Sequence, residues 1–153
     1  MGHGFDPELV LRRPLMGHLA TASPNGPRGT PVWFLWEDGA LWIPGNTGSH
    51  WVRRIGDDPR VAVDIVDYDN AAGRLLHLGL RGRAEVVADG VPARFRRLLV
   101  KYLGPDEAAW NGWFMERIAR PEDPETRMVR LAPESTFANN VSYFRSGPDL
   151  AAP

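Results

Sequence analysis

The stretch of this chain whose residue types best suit an anion is Gly45-Asn46-Thr47-Gly48-Ser49-His50-Trp51-Val52-Arg53-Arg54. Ser49 is a helix N-cap residue type, and a helix running SHWVRRI from it aims free backbone N–H groups and partial positive charge outward. Arg53 and Arg54 add full charges close by. This is phosphate-binding chemistry, although the same residues also suit a capped surface helix with solvated arginines. His77 is the second candidate. Its imidazole can hold or pass a proton near neutral pH, and it equally suits a hydrogen-bonded barrel position or an exposed one. Of the other histidines, His3 is near the terminus, His18 reads as a strand residue and His50 belongs to the anion stretch. No pair of histidines has metal-ligand spacing, so no metal is expected. With no cysteine, disulfides, thiolate zinc, iron-sulfur ligation and a catalytic thiol are all excluded.

The elements that must position these residues occupy 153 residues, the size of one domain spanning 1–153, with a loose tail over 146–153. A net charge of -1 argues against a nucleic-acid partner. No apolar run approaches the ~20 residues of a membrane span, and MGHGFDPELVLRRPL lacks the apolar core of a secretory signal, so no membrane partner and a cytoplasmic location are expected. Six tryptophans, at 33, 36, 42, 51, 110 and 113, suit a dense core, a dimer interface or a planar ligand. The basic residues are almost all arginine, and Lys101 is the one lysine.

Asp6-Pro7-Glu8 opens a short helix to about Arg13, stopped by Pro14. HLATAS, the turn Pro24-Asn25-Gly26-Pro27 and TPVWFLWE read as strand, turn, strand, and Asp38-Gly39 turns into ALWIP. After the Ser49 helix, RVAVDIVD alternates with the period of a sheet. RLLHLGLRGRAEVV sets Leu76, Leu78 and Leu80 on one face and His77, Gly79 and Arg81 on the other, with Gly79 and Gly82 inviting a bend. Val91 to Leu103 is an amphipathic helix, and a second, from Pro105-Asp106-Glu107, carries Trp110, Trp113, Phe114 and Ile118, a stripe suited to core or dimer interface. RMVRLAP is the last strand, and the tail after Pro133 has no clear period. The class is mainly β: a small, closed, six-stranded antiparallel split β-barrel with short helices packed outside.

In order, the Leu-Ala-Thr strand, the Asn-Gly turn, Pro-Val-Trp-Phe, a Ser-capped helix before Asp-Pro-Arg-Val, then Gly-Arg-Ala and MVRLAPE resemble the pyridoxamine 5'-phosphate oxidase-like family over nearly the whole chain. The resemblance implies a homodimer holding FMN, or sometimes a deazaflavin, where subunits meet. Carried over by position, Thr30, Pro31, Val32 and Trp33 border the isoalloxazine ring, and Gly45, Asn46, Ser49, His50, Trp51, Arg53 and Arg54 surround the ribityl-phosphate end. His77 stands where some members reach the flavin with a polar residue, and Asn139, Tyr143 and Arg145 are candidates to cover the partner's cofactor. Two positions depart from the pattern. Ser49-His50-Trp51 replaces a common Ser-x-Lys whose lysine pairs with phosphate, and Gly45 replaces a common threonine. Either Arg28, Arg53 or Arg54 substitutes, or the ligand differs.

The expected function is an FMN-dependent oxidoreductase passing hydride or electrons from a reduced donor to a small organic acceptor, the flavin carrying the chemistry. The alternatives are a deazaflavin-dependent reductase and a non-catalytic flavin- or haem-binding barrel with His18, His50 or His77 on the iron. Pyridoxamine 5'-phosphate oxidase activity itself is not expected, because the substrate-clamping Arg-x-His segment is not present. An oligonucleotide-binding barrel is disfavoured by the acidic balance.

Overall fold

The structure, a computed structural model, describes residues 4–118 and 123–143. Its strands are β1 (Gly17–Thr21), β2 (Arg28–Val32), β3 (Leu35–Glu37), β4 (Ala40–Asn46), β5 (Arg60–Asp69), β6 (Arg74–Val87), β7 (Thr126–Leu131) and β8 (Ser135–Asn140). Its helices are α1 (Glu8–Leu11), α2 (His50–Asp57), α3 (Val91–Leu103) and α4 (Gly112–Ile118), with a 3-10 turn over Glu107–Ala109.

All pairings among the described strands are antiparallel, in the order β2-β1-β5-β6-β7-β4-β3, with β8 also on β6. The barrel is therefore split rather than closed: β2 and β3 are the two ends of this path. The expected single strand TPVWFLWE is broken at Trp33 and Phe34, and this break is where the sheet opens. Helix α3 satisfies the backbone there. Tyr102 Oη accepts from the Phe34 N–H (3.1 Å) and donates to the Leu15 carbonyl (2.7 Å), while Lys101 Nζ donates to the carbonyls of Phe34 and Leu11, both at 2.9 Å. The ammonium also lies 3.6 Å over the Phe34 ring. Burial pushes Lys101 down to about 7 and Tyr102 up to about 12.

The long β6 serves both halves, pairing with β5 over Arg74 to Arg83 and with β7 over Ala84 to Val87. Gly82 stands where the chain leaving β7 crosses it: a Cβ there would lie 3.1 Å from the Ala132 carbonyl oxygen, so the close crossing favours glycine. That chain continues as β8, a strand which the aperiodic tail did not announce. The Asp38-Gly39 turn has positive φ at both residues, 53° and 68°, which is the two-residue hairpin geometry expected from the sequence.

Alternation along β5 is as read, with Val61, Val63, Ile65 and Asp67 buried and Asp64, Val66 and Tyr68 exposed. The core joins Leu19, Phe34, Ile43, Val63, Leu78 and Leu131, with Val10 and Leu11 of α1 capping it. Asp67, buried among apolar side chains, is neutralised by Arg13 and Arg74. Helix α3 is held to β3 by Glu37, whose carboxylate takes paired hydrogen bonds from Arg97 (2.7 and 2.9 Å) and one from Arg94 (3.1 Å). The Arg97 bonds lead in holding that carboxyl below its ordinary range.

The second late helix is two pieces, because Asp106 and Asn111 each cap their own start by accepting from the N–H two residues on. Its aromatic stripe divides accordingly: Trp110 is buried and Trp113 is exposed. The first helix is one four-residue turn. No helix of the described residues is long and apolar enough to cross a membrane.

Candidate functional site

Helix α2 leads out of β4, and the local geometry follows from Asn46. Its Oδ1 accepts from the Gly48 N–H (2.7 Å) and its carbonyl from the Ser49 N–H (2.9 Å), folding the loop tightly before the helix. Ser49 sits at the N-cap in extended conformation (φ -73°, ψ 133°), and its hydroxyl makes no capping hydrogen bond, contrary to the expected cap. The first backbone bond runs from the Arg53 N–H to the Ser49 carbonyl (3.2 Å), so the N–H groups of His50, Trp51 and Val52 precede the helical ladder.

The two departures noted in the sequence form one structural unit. The Trp51 indole lies on Gly45: a Cβ at position 45 would stand 3.0 and 3.1 Å from two indole carbons and 2.8 Å from Val52 Cγ2. A side chain at 45 is crowded by Val52 first and by the Trp51 ring second, so glycine at 45 accommodates tryptophan at 51. The indole is half-buried and packs on the core, so this wall of the site is aromatic where the resemblance sets a cation.

Positive charge enters instead from the arginines. Arg54 Nε donates to Thr21 Oγ1 (2.9 Å), and Arg28 pairs with the same Thr21 across β1 and β2. Arg53 Nε reaches back to the Thr47 carbonyl (3.3 Å), and His50 is exposed. Sequence reasoning did not single out Thr21, whose hydrogen bond from Arg54 and register position opposite Arg28 depend on the fold.

The remaining expected residues divide. Thr30 and Val32 face inward, in register with Leu19 and Gly17, while Pro31 is exposed on the outer face beside His18. Trp33 is drawn away to the helices, its ring stacked 4.6 Å from Tyr102 and 5.9 Å from Phe114, so its indole does not border a shared cleft with Pro31. His77 and Asn139 are register partners on β6 and β8. Tyr143 bonds to Asn70 Oδ1 (2.9 Å) at the β5 to β6 turn. Arg145 lies outside the described residues.

His77 has a partner that the sequence reading missed. Its Nε2 is 2.7 Å from Asp64 Oδ1. Asp64 is opposite Gly79 in the ladder, so the pair is diagonal across β5 and β6, and only the register reveals it. Phe137 closes the group, its ring edge-on to the imidazole at 5.7 Å.

Residues 8–140 match the family model described as pyridoxamine 5'-phosphate oxidase. The chain belongs to this family. Among solved structures of the pyridoxamine 5'-phosphate oxidase fold, one named F420 reductase is 31% identical, over 85% of this chain and 94% of that one, at a TM-score of 0.64. A conserved hypothetical protein from Mycobacterium tuberculosis is 20% identical, over 94% and 92%, at 0.74. A haem storage protein from Vibrio cholerae is 14% identical, over 90% and 96%, at 0.66. The last two likenesses concern the fold. No curated protein matches the chain.

Proposed function

We propose that this chain is a reductase that uses a deazaflavin of the F420 kind, held where two copies of the chain meet, and transfers hydride to a small organic acceptor. The observation that carries the reading is the indole of Trp51 lying on Gly45. FMN ends in a phosphate monoester that carries close to two charges at neutral pH, which favours a lysine at position 51. F420 carries its phosphate as a diester that leads into a carboxylate-bearing glutamyl tail, and Arg28, Arg53 and Arg54 with the N–H groups opening α2 suit an extended anionic chain of that kind better than a single dianion. The 31% identity to a protein named F420 reductase points the same way.

A bound deazaflavin supplies the hydride chemistry. The chain's own residues would orient it: Arg28, Arg53 and Arg54 at the phosphate end, Trp51 as an aromatic wall, and Pro31 with the outer face of β1, β5 and β6 along the ring. Dimerisation is supported by the outer face of β5, β6 and β8, where Val66, Tyr68, Phe137, Val141 and Tyr143 are exposed. One two-fold interface there would form two equivalent sites and complete each with a second chain.

The test is a visible absorption spectrum of the protein after incubation with F420 or with FMN and removal of what does not bind. Retained F420 at about one per chain is expected, as two equivalent sites per dimer require. Retention of FMN alone would return the assignment to an FMN oxidoreductase.

A further inference from the structure

We infer that Asp64 and His77 form a proton-delivering pair for the reaction proposed above, with Asp64 the positioning residue that fixes the imidazole tautomer. The inference rests on that reading for its reaction and on geometry for its assignment. An ionised carboxylate has no hydrogen to give, so the 2.7 Å contact makes His77 Nε2 the donor and leaves Nδ1 as the nitrogen that gains and loses a proton.

The surroundings are built for this contact. Gly79 lies between the two side chains, and a Cβ there would stand 3.3 Å from Asp64 Oδ1 and 3.9 Å from His77 Nε2, crowding the space through which they meet. On the other side the Phe137 ring meets the imidazole edge-on. The pair also sits on the right face. Pro31, His18, Asp64, Gly79 and Phe137 form one transverse row across β2, β1, β5, β6 and β8. Two strand spacings, about 10 Å, separate Asp64 from Pro31, the residue placed along the ring. The charged and titratable groups around the imidazole on this face are His18 on β1, Asp64 and Tyr68 on β5 and Arg81 on β6, while β8 presents Asn139 and Phe137.

In the step assigned to the pair, a bound reduced deazaflavin would supply the acceptor with a hydride and its electron pair and be oxidised in doing so. The acceptor gains a proton from Nδ1 of the His77 imidazolium, which is left neutral with Nε2–H on Asp64 and regains a proton from water. A conjugated carbonyl compound is the acceptor class that needs one hydride and one proton in this way.

The experiment has two readouts. Nitrogen NMR of the His77 ring in the full-length protein is expected to give the Nε2–H tautomer in the wild type and a mixture of tautomers in Asp64→Leu. Asp64→Asn, whose amide oxygen still accepts, keeps the wild-type tautomer. With reduced F420 at saturating concentration and cyclohexenone as probes, Asp64→Leu and His77→Asn are each expected to lower kcat about a hundredfold, the usual scale for a lost proton donor. The double variant should be no slower than either single one. An unchanged tautomer in Asp64→Leu, or full kcat in His77→Asn, overturns the inference. Failure of the wild type to bind deazaflavin overturns the reading beneath it instead, and is seen separately as absent binding.

Discussion

A side chain at position 45 would place its Cβ 2.8 Å from buried Val52 Cγ2 and 3.0 Å from the Trp51 ring, with no flexible end to move aside on the valine. Gly45→Thr is therefore expected to lower stability by about 1–3 kcal/mol, the usual cost of overpacking, read from the urea midpoint. Trp51→Lys, by removing the ring, should recover part of that loss, and the coupling between the two positions should exceed about 0.5 kcal/mol in a double-mutant cycle. The same double variant restores the threonine and lysine of the family pattern, so its FMN affinity is expected to rise. Additive effects with no gain in FMN binding would separate the two residues and remove them as a determinant of cofactor choice.

Among the elements, α3 carries the most consequential tie, because its Lys101 holds the open edge between β2 and β3 as well as the end of α1. Burial lowers this amine from its ordinary 10.5 to about 7. Between those values the unfolded chain binds a proton that the folded chain does not, so stability contributed by this group rises with pH across the window. It is complete above about 10.5 and lost as pH falls through about 7. Urea midpoints measured from pH 7 to 10 should climb for the wild type, and Lys101→Met should climb less. An identical slope in the two proteins would mean that Lys101 stays charged in its carbonyl cage. At this scale periodicity made β5, β6 and α3 legible, through strand alternation and helical apolar spacing, and the Ser49 residue type marked α2. The break at Trp33 and Phe34 did not announce itself, because an apolar run looks like an uninterrupted strand until Tyr102 and Lys101, far along the chain, take its backbone groups. Strand β8 was hidden for a related reason. Pairing with the edge of β6 that β5 leaves open over Leu76 to Arg81, it leaves Phe137 exposed and shows no buried alternation.

At the scale of the whole molecule, candidate residues gather at α2, on β2 and on the outer face of β5, β6 and β8, with Trp33 drawn off to α3 and α4. Phe137, 55% exposed on that face, is the apolar residue whose burial a partner would supply. The wild type is expected to sediment as a dimer, and Phe137→Glu to shift it toward monomer and to weaken deazaflavin binding together. A monomeric wild type would confine the site to α2. The start of α2 was legible in the sequence because a Ser N-cap type after Gly-Asn-Thr-Gly is a local pattern, although the Ser49 hydroxyl makes no capping bond. Thr21, Asp64 and Gly79 were not, because each acquires its role from a neighbour across a strand. Cofactor choice is decided by calorimetric titration of the wild type with F420 and with FMN in one buffer. F420 should bind about tenfold more tightly or better, a difference of about 1.4 kcal/mol; equal or tighter binding of FMN would contradict the account.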